Sequence, residues 1–270
     1  MSSHFLTDII IMNRKPFILV SNDDGYQAKG LKSLVEFLSD MADVLVCAPD
    51  SGRSGYASAF TVAQPLMLKK KKPVDGVEVW VTNGTPVDCI KLAYDQFCTE
   101  RVPDLIVSGI NHGDNASVNV HYSGTMGAAI EGCLKGIPSI GFSLCDYRED
   151  ADFTMLRPYI RAIVQQVLAN GLPKGVCLNV NFPLVEELKG MKVCRMNKGM
   201  WQKECAKMQH PRGPHYFWMT GEFVSDEPDA EDTDYWALNN GYGAITPTQI
   251  DVTAYEALNQ LQKWNWEVNR

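Results

Sequence analysis

From residue 17 to residue 182 the chain alternates short unbroken apolar runs with longer stretches whose apolar positions recur every three or four residues. Phe17-Ile18-Leu19-Val20 is followed by Leu31, Leu34, Val35 and Leu38, at i, i+3, i+4 and i+7, and then by Val44-Leu45-Val46-Cys47-Ala48-Pro49. The runs predict buried strands and the periodic stretch an amphipathic helix. Strand, helix and strand in that order make a βαβ unit, and continuously apolar strands belong to a parallel sheet covered on both faces.

The alternation continues with predicted strands at Val77 to Thr82, Leu105 to Ser108, Ile137 to Phe142 and Val176 to Val180. Between them fall predicted helices opening at Thr85, running from Gly127 to Lys135, and running from about Thr154 to Leu168. Thr85-Pro86-Val87-Asp88 has a capping residue, a proline at the first helical position and an acid placed to reach back. The fold class predicted is α/β, a doubly wound and mostly parallel sheet.

The pattern breaks near Asn197. Residues 197–225 are rich in aromatic side chains, among them Trp201, Tyr216, Phe217 and Trp218, without helical period. They predict a protruding hairpin arm, packed either on another subunit or on its own chain. The acidic run from Asp226 to Asp234 predicts a solvated loop. A short helix, a strand from Gly243 to Thr246 and a C-terminal helix within 253–266 complete the pattern. Residues 1–13 are expected to be a non-core extension, and 14–270 one α/β domain.

Composition narrows the partners. The net charge of −7 disfavours a nucleic-acid polymer, whose binders carry basic surfaces, while leaving room for a small phosphorylated ligand. The eight cysteines are scattered, without CxxC spacing or a Cys/His cluster, so neither a disulfide framework nor a zinc site is expected and a reducing, cytoplasmic compartment fits. No segment reaches the ~20 apolar residues a membrane helix requires.

The first strand runs straight into Asn22-Asp23-Asp24-Gly25. In an open α/β sheet, ligands bind beyond the carboxyl ends of the strands. Ser54, after the second strand, and Asn111, in Ser108-Gly109-Ile110-Asn111-His112-Gly113, are expected at the same end. Two adjacent, partly buried carboxylates cannot both ionise cheaply without a cation nearby. Carboxylate, hydroxyl and amide oxygens are hard donors that suit Mg2+, Mn2+ or Ca2+. A tight turn capping the next helix would use the same residue types. Tyr122-Ser123-Gly124-Thr125-Met126-Gly127 opens a helix with a capping residue and small neighbours, an anion-binding geometry. A metal facing a phosphate cradle suits phosphate ester hydrolysis. A nucleophilic-aspartate phosphatase would need its second aspartate two residues on, and Asp23-Asp24-Gly25-Tyr26 is no dinucleotide fingerprint.

Ser21-Asn22-Asp23-Asp24-Gly25, Arg53-Ser54-Gly55, Asn83-Gly84-Thr85-Pro86, Ile106 to Asn111 and Ser123-Gly124-Thr125, in this order, resemble the SurE family of stationary-phase survival 5′-nucleotidases. Asp232-Thr233-Asp234 and Gly241 to Pro247 extend the resemblance over nearly the whole chain after Lys15. It implies one divalent metal per subunit, held by Asp23, Asp24, Ser54 and Asn111. It implies hydrolysis of nucleoside 5′-monophosphates, with Asp23 and Asp24 catalytic and with Ser123, Gly124, Thr125 and Asn111 on the phosphate. It further implies a cytoplasmic homodimer or homotetramer with exchanged C-terminal segments. His112 and Asn83 depart from the residues frequent there, which leaves base preference open. A non-catalytic nucleotide sensor, or a broader phosphatase acting on 3′-nucleotides or polyphosphate, would use the same residues.

Overall fold

The structure is a computed structural model that describes residues 14–267, so the expected extension at 1–13 lies outside the described residues. Strand β1 (Phe17–Ser21) is buried along its whole length. It is followed by α1 (Lys29–Leu38), β2 (Asp43–Pro49), β3 (Leu68–Lys70), β4 (Glu78–Thr82), α2 (Pro86–Phe97) and β5 (Leu105–His112). Then come α3 (Gly124–Leu134), β6 (Ser139–Leu144), α4 (Arg157–Asn170), β7 (Val176–Phe182) and β8 (Met191–Val193). The N-terminus of α2 forms as its sequence predicts: Thr85 accepts from the Asp88 N–H, and the Asp88 carboxylate accepts from the Thr85 N–H at 2.8 Å.

The main sheet has nine strands in the order β3-β4-β2-β1-β5-β6-β7-β13-β8, where β13 is Gly243–Gln249. Strands β4 through β7 are parallel to their neighbours, while β3 and β13 run antiparallel to β4 and β7. Alternate residues of β1 feed two cores: Ile18 and Val20 pack with α1 and α4 on one face, and Phe17 and Leu19 with α2 on the other. Strand β1 therefore lies between β2 and β5, where the winding reverses. In doubly wound sheets that reversal opens the ligand crevice.

The arm forms as a two-part hairpin. Strand β9 (Gly199–Gln202) pairs with β12 (Glu222–Ser225), and β10 (Cys205–Gln209) with β11 (His215–Met219), both antiparallel. Met208, Tyr216, Phe217, Trp218 and Met219 are exposed at its outer part.

Three expectations require correction. The acidic run is not wholly a solvated loop: Asp234, the first residue of α5 (Asp234–Asn239), is completely buried, and Glu227 and Asp232 both pair with Arg195. The C-terminal helix α6 is shorter than 253–266, spanning Tyr255–Leu261 and burying no residue. Its apolar face, including Leu258 and Leu261, finds nothing to pack on in a single chain, and packing rather than propensity sustains short helices. Strand β13 also runs three residues beyond the predicted Thr246, because it pairs with β7 through Gln249.

Candidate active site

The loops after β1, β2 and β5 meet at the carboxyl end of the sheet. Asn22 donates its side-chain amide to the Gly25 carbonyl at 3.0 Å, which closes the turn carrying Asp23 and Asp24. The next loop is tied to this turn: the Arg53 N–H donates to the Asp23 carbonyl at 2.6 Å, which sets Ser54 beside the carboxylates. The Arg53 guanidinium is turned elsewhere, to Asp50 at 3.0 Å and the Asn83 carbonyl at 3.2 Å.

The N-terminus of α3 abuts the same carboxylates. Ser123 caps the helix, its hydroxyl accepting from the Met126 N–H at 3.0 Å. The first N–H groups of a helix have no intrahelical acceptor. The Gly124 N–H is therefore available to an anion, while the Thr125 N–H faces the Asp23 carboxylate. The Thr125 hydroxyl donates to the Asp23 carboxylate, joining residues 102 apart in sequence. Gly124 permits this contact, since a methyl group there would lie 2.7 Å from the Asp23 Cβ.

Strand β5 supplies the third side of the site. Its register with β6 shifts between Ser108 and Asn111, around a cis peptide at Gly109–Ile110. The Asn111 amide nitrogen donates to the Gly113 carbonyl at 2.8 Å, which leaves its oxygen as the group available to a cation. The next N–H, of His112, donates to the Asp24 carboxylate at 3.2 Å. Asp24, Ser54 and His112 share the wall of an open cavity of about 570 Å³.

Electrostatics set this turn apart. Burial, reinforced by the neighbouring Asp24 charge, pushes the Asp23 carboxyl from 3.8 up to about 7. Burial also raises Asp24, against the opposing pull of the His112 N–H. Among the described residues, no lysine, arginine or histidine side chain forms an ion pair with either carboxylate. A buried and a half-buried acid side by side without an ion-paired partner fit a bound divalent ion, which would stabilise both as carboxylates. Among the described residues no group of three or more His, Cys, Asp and Glu forms a metal cluster, so hydroxyl and amide oxygens have to complete the set. Such an all-oxygen set is of the type that hard cations prefer.

Every residue singled out from the sequence thus lies at one end of the sheet, although their roles differ from what residue type suggests. The Thr125 hydroxyl and backbone N–H both face the Asp23 carboxylate, so the residue positions that acid rather than offering an anion a free hydroxyl. The His112 ring meets the Arg148 carbonyl through Nδ1 at 2.8 Å and the edge of Phe153 at 5.1 Å. Asn83 is structural, its side-chain oxygen accepting from the Met67 N–H at 2.8 Å. Sequence reasoning missed the loop after β6, where Tyr147 enters the cavity wall. The only sequence signal there was its position after a predicted strand.

The geometry has clear relatives. The family model described as Survival protein SurE matches residues 18–203. The chain is 56% identical over 254 residues to the 5′-nucleotidase SurE of Phocaeicola vulgatus, covering 94% of this chain and 98% of that protein. It is 40% identical to the 5′-nucleotidase SurE of Syntrophomonas wolfei, over 91% of this chain and 93% of that one. The crystal structure of the SurE protein from Aquifex aeolicus superimposes with a TM-score of 0.78 at 38% identity, covering 92% of this chain and 98% of that chain. Fold, motif order and matched length agree, and the chain belongs to the SurE family.

Proposed function

We propose that this protein is a metal-dependent phosphatase that hydrolyses nucleoside 5′-monophosphates to nucleoside and phosphate. The observation that carries the proposal is a pair of adjacent carboxylates, Asp23 buried and Asp24 half-buried at a cavity wall, without an ion-paired side chain among the described residues and set against the N-terminus of α3. The name 5′-nucleotidase carried by the relatives supports the reading.

In this proposal Asp23, Asp24, Ser54 and Asn111 hold one divalent ion, Mg2+, Mn2+ or Ca2+. When bound, that ion supplies Lewis-acid polarisation of a phosphoryl oxygen. The Gly124 N–H and the Ser123 hydroxyl bind the remaining phosphoryl oxygens and stabilise charge as it develops. Asp23, oriented by the Thr125 hydroxyl, accepts a proton from the attacking water. Asp24 is oriented by the His112 N–H.

Phosphate release from nucleoside monophosphates is expected with added divalent ion and is expected to stop in excess chelator. Full turnover at negligible metal content would overturn the metal dependence. Nucleotide binding without release would instead make the protein a sensor.

We further propose that residues 14–270 act as one α/β unit in a cytoplasmic homodimer or homotetramer, joined through the arm and α6. The exposed aromatic and methionine side chains of β10 and β11, and a C-terminal helix that buries nothing in one chain, support this reading. All eight cysteines are free thiols, in keeping with a reducing compartment. Light scattering at micromolar concentration is expected to give a multiple of the 30.1 kDa chain mass. A monomeric mass would remove the arm from this role.

A further inference from the structure

Resting on the phosphatase reading, we propose that Tyr147 is the platform on which the aromatic base of the nucleotide stacks. The cavity that Asp24 and Ser54 line at the metal end also has Tyr147 and His112 in its wall. Its volume of about 570 Å³ falls within the usual range of small-molecule sites. With a phosphate held beside Asp24 and Ser54, this cavity is the adjoining space that can take the rest of a nucleotide.

Tyr147 is exposed yet firmly held. The loop that carries it is rooted by the Cys145 N–H on the Phe182 carbonyl at 2.9 Å and the Asp146 N–H on the Leu144 carbonyl at 2.7 Å. On either side of Tyr147, the buried Asp146 carboxylate takes the Arg148 guanidinium at 2.9 and 2.7 Å, and the Arg148 N–H at 3.1 Å. One side of the tyrosine ring lies against the backbone of Gly113, where a methyl group would come within 2.3 Å of its Cε1. Gly113 has φ +101°, so both its conformation and the ring beside it exclude a side chain. The hydroxyl donates to Asp114 at 3.3 Å.

Held at its tip and along one side, the ring still leaves 71% of the residue's surface exposed. An aromatic ring immobilised before the ligand arrives costs little entropy on binding, and any base offers it a π-face. His112 is immobilised in the same way. A carbonyl only accepts, so the contact to Arg148 places a proton on Nδ1 and leaves Nε2 as the ring's remaining polar atom, free to hydrogen-bond a sugar hydroxyl or a base edge. Tyr147 thus fits a role in recognising the base, apart from the chemistry at the phosphate.

The test compares the wild type with Tyr147→Ala and Tyr147→Phe on adenosine 5′-monophosphate and on ribose 5-phosphate, which has the same phosphate and sugar but no base. Calorimetric binding of adenosine 5′-monophosphate is measured in parallel. In Tyr147→Ala, KM and Kd for the nucleotide should rise about tenfold or more, within the cost of a lost base–aromatic stack. The constants for ribose 5-phosphate should not change, and Tyr147→Phe, which keeps the ring, should stay near wild type on both. Equal losses on the two esters, or no loss on either, would overturn the proposal. If the wild type releases phosphate from neither ester, the phosphatase reading falls, and calorimetry still decides on Tyr147. Weaker nucleotide binding in the alanine variant alone sustains the platform; equal affinity, or no binding by the wild type, removes it.

Discussion

Replacing Asp24 with asparagine is expected to lower phosphate release about a thousandfold while leaving the metal-free protein as stable as before, or slightly more so. The two effects have one cause. Asp24 and Asp23 are adjacent and raised by burial, and Asp24's charge is the second contribution pushing Asp23 up. An amide of the same shape still accepts from the His112 N–H, and it removes the like-charge repulsion. The cation loses one of its two charged ligands, and a loss of about 4 kcal/mol of transition-state stabilisation corresponds to a thousandfold in rate. Thermal unfolding separates this from a turn-capping role. A wild-type site at a hundred times its metal Kd gains about 2.7 kcal/mol. For a protein of this size that is roughly 5–10 °C in Tm. The shift should largely vanish in Asp24→Asn. Asparagine caps a turn nearly as well as aspartate. An active variant with an unchanged metal-induced shift would therefore return the pair to the role of a turn.

How much of this was legible in the sequence depended on burial. Strands β1, β5, β6 and β7 lie between two helical layers, and burial on both faces produces unbroken apolar runs that can be read directly. The edge strand β3, Leu68-Lys69-Lys70, opens a lysine run and gave no such signal. Lysines on an edge discourage further strand pairing, so the feature that suits an edge also hides the strand. Helix α6 was overextended for the converse reason: apolar spacing was present at Leu258 and Leu261, but a periodic face forms a stable helix only when something covers it. The site divides in the same way. Asp23, Asp24, Ser54 and Asn111 were legible as neighbours because they lie in the loops after β1 and β2 or near the end of β5, and parallel strands deliver such residues to one edge. The bond from Thr125 to Asp23 spans 102 residues and depends on where α3 docks, which no local pattern encodes. Among the acids from Asp226 to Asp234, charge alone could not tell that Asp234 folds inward while its neighbours pair with Arg195 at the surface.

That inward-facing acid should contribute to stability through the backbone groups it holds, although burial raises its pKa above the usual carboxylate value. Asp234 accepts from the Ser117 N–H at 2.8 Å, the Asn197 N–H at 2.9 Å and the Tyr235 N–H at 2.8 Å, with the Ser117 hydroxyl at 3.3 Å. Asp234→Ala strands two buried backbone donors, of Ser117 and Asn197, and the part-buried one of Tyr235, each buried donor costing about 1–3 kcal/mol when unsatisfied. Water entering the vacated space returns part of this, so a net loss of about 3–5 kcal/mol is expected, roughly 10 °C in Tm at this chain length. The location of those donors turns a stability effect into a functional one. Asn197 is where the arm leaves the core. Ser117 lies in the segment between Asn111 and Ser123, and holds a left-handed φ of +53° that is uncommon for a residue with a side chain. Freed from Asp234, that segment loses one of its anchors, while Asn115 stays fixed through Asn181 at 2.7 Å and Ser143 at 2.8 Å. Phosphate release measured well below the variant's Tm should accordingly fall about tenfold, the effect of a small misplacement of the phosphate-binding groups. Protease cleavage should quicken near 117 and near 197 together, because one carboxylate holds both. Asp234→Asn keeps a single acceptor oxygen and should fall between wild type and alanine in Tm. A Tm within 2 °C of wild type for Asp234→Ala, or faster cleavage at only one of the two positions, would show that the arm and the phosphate loop are anchored separately.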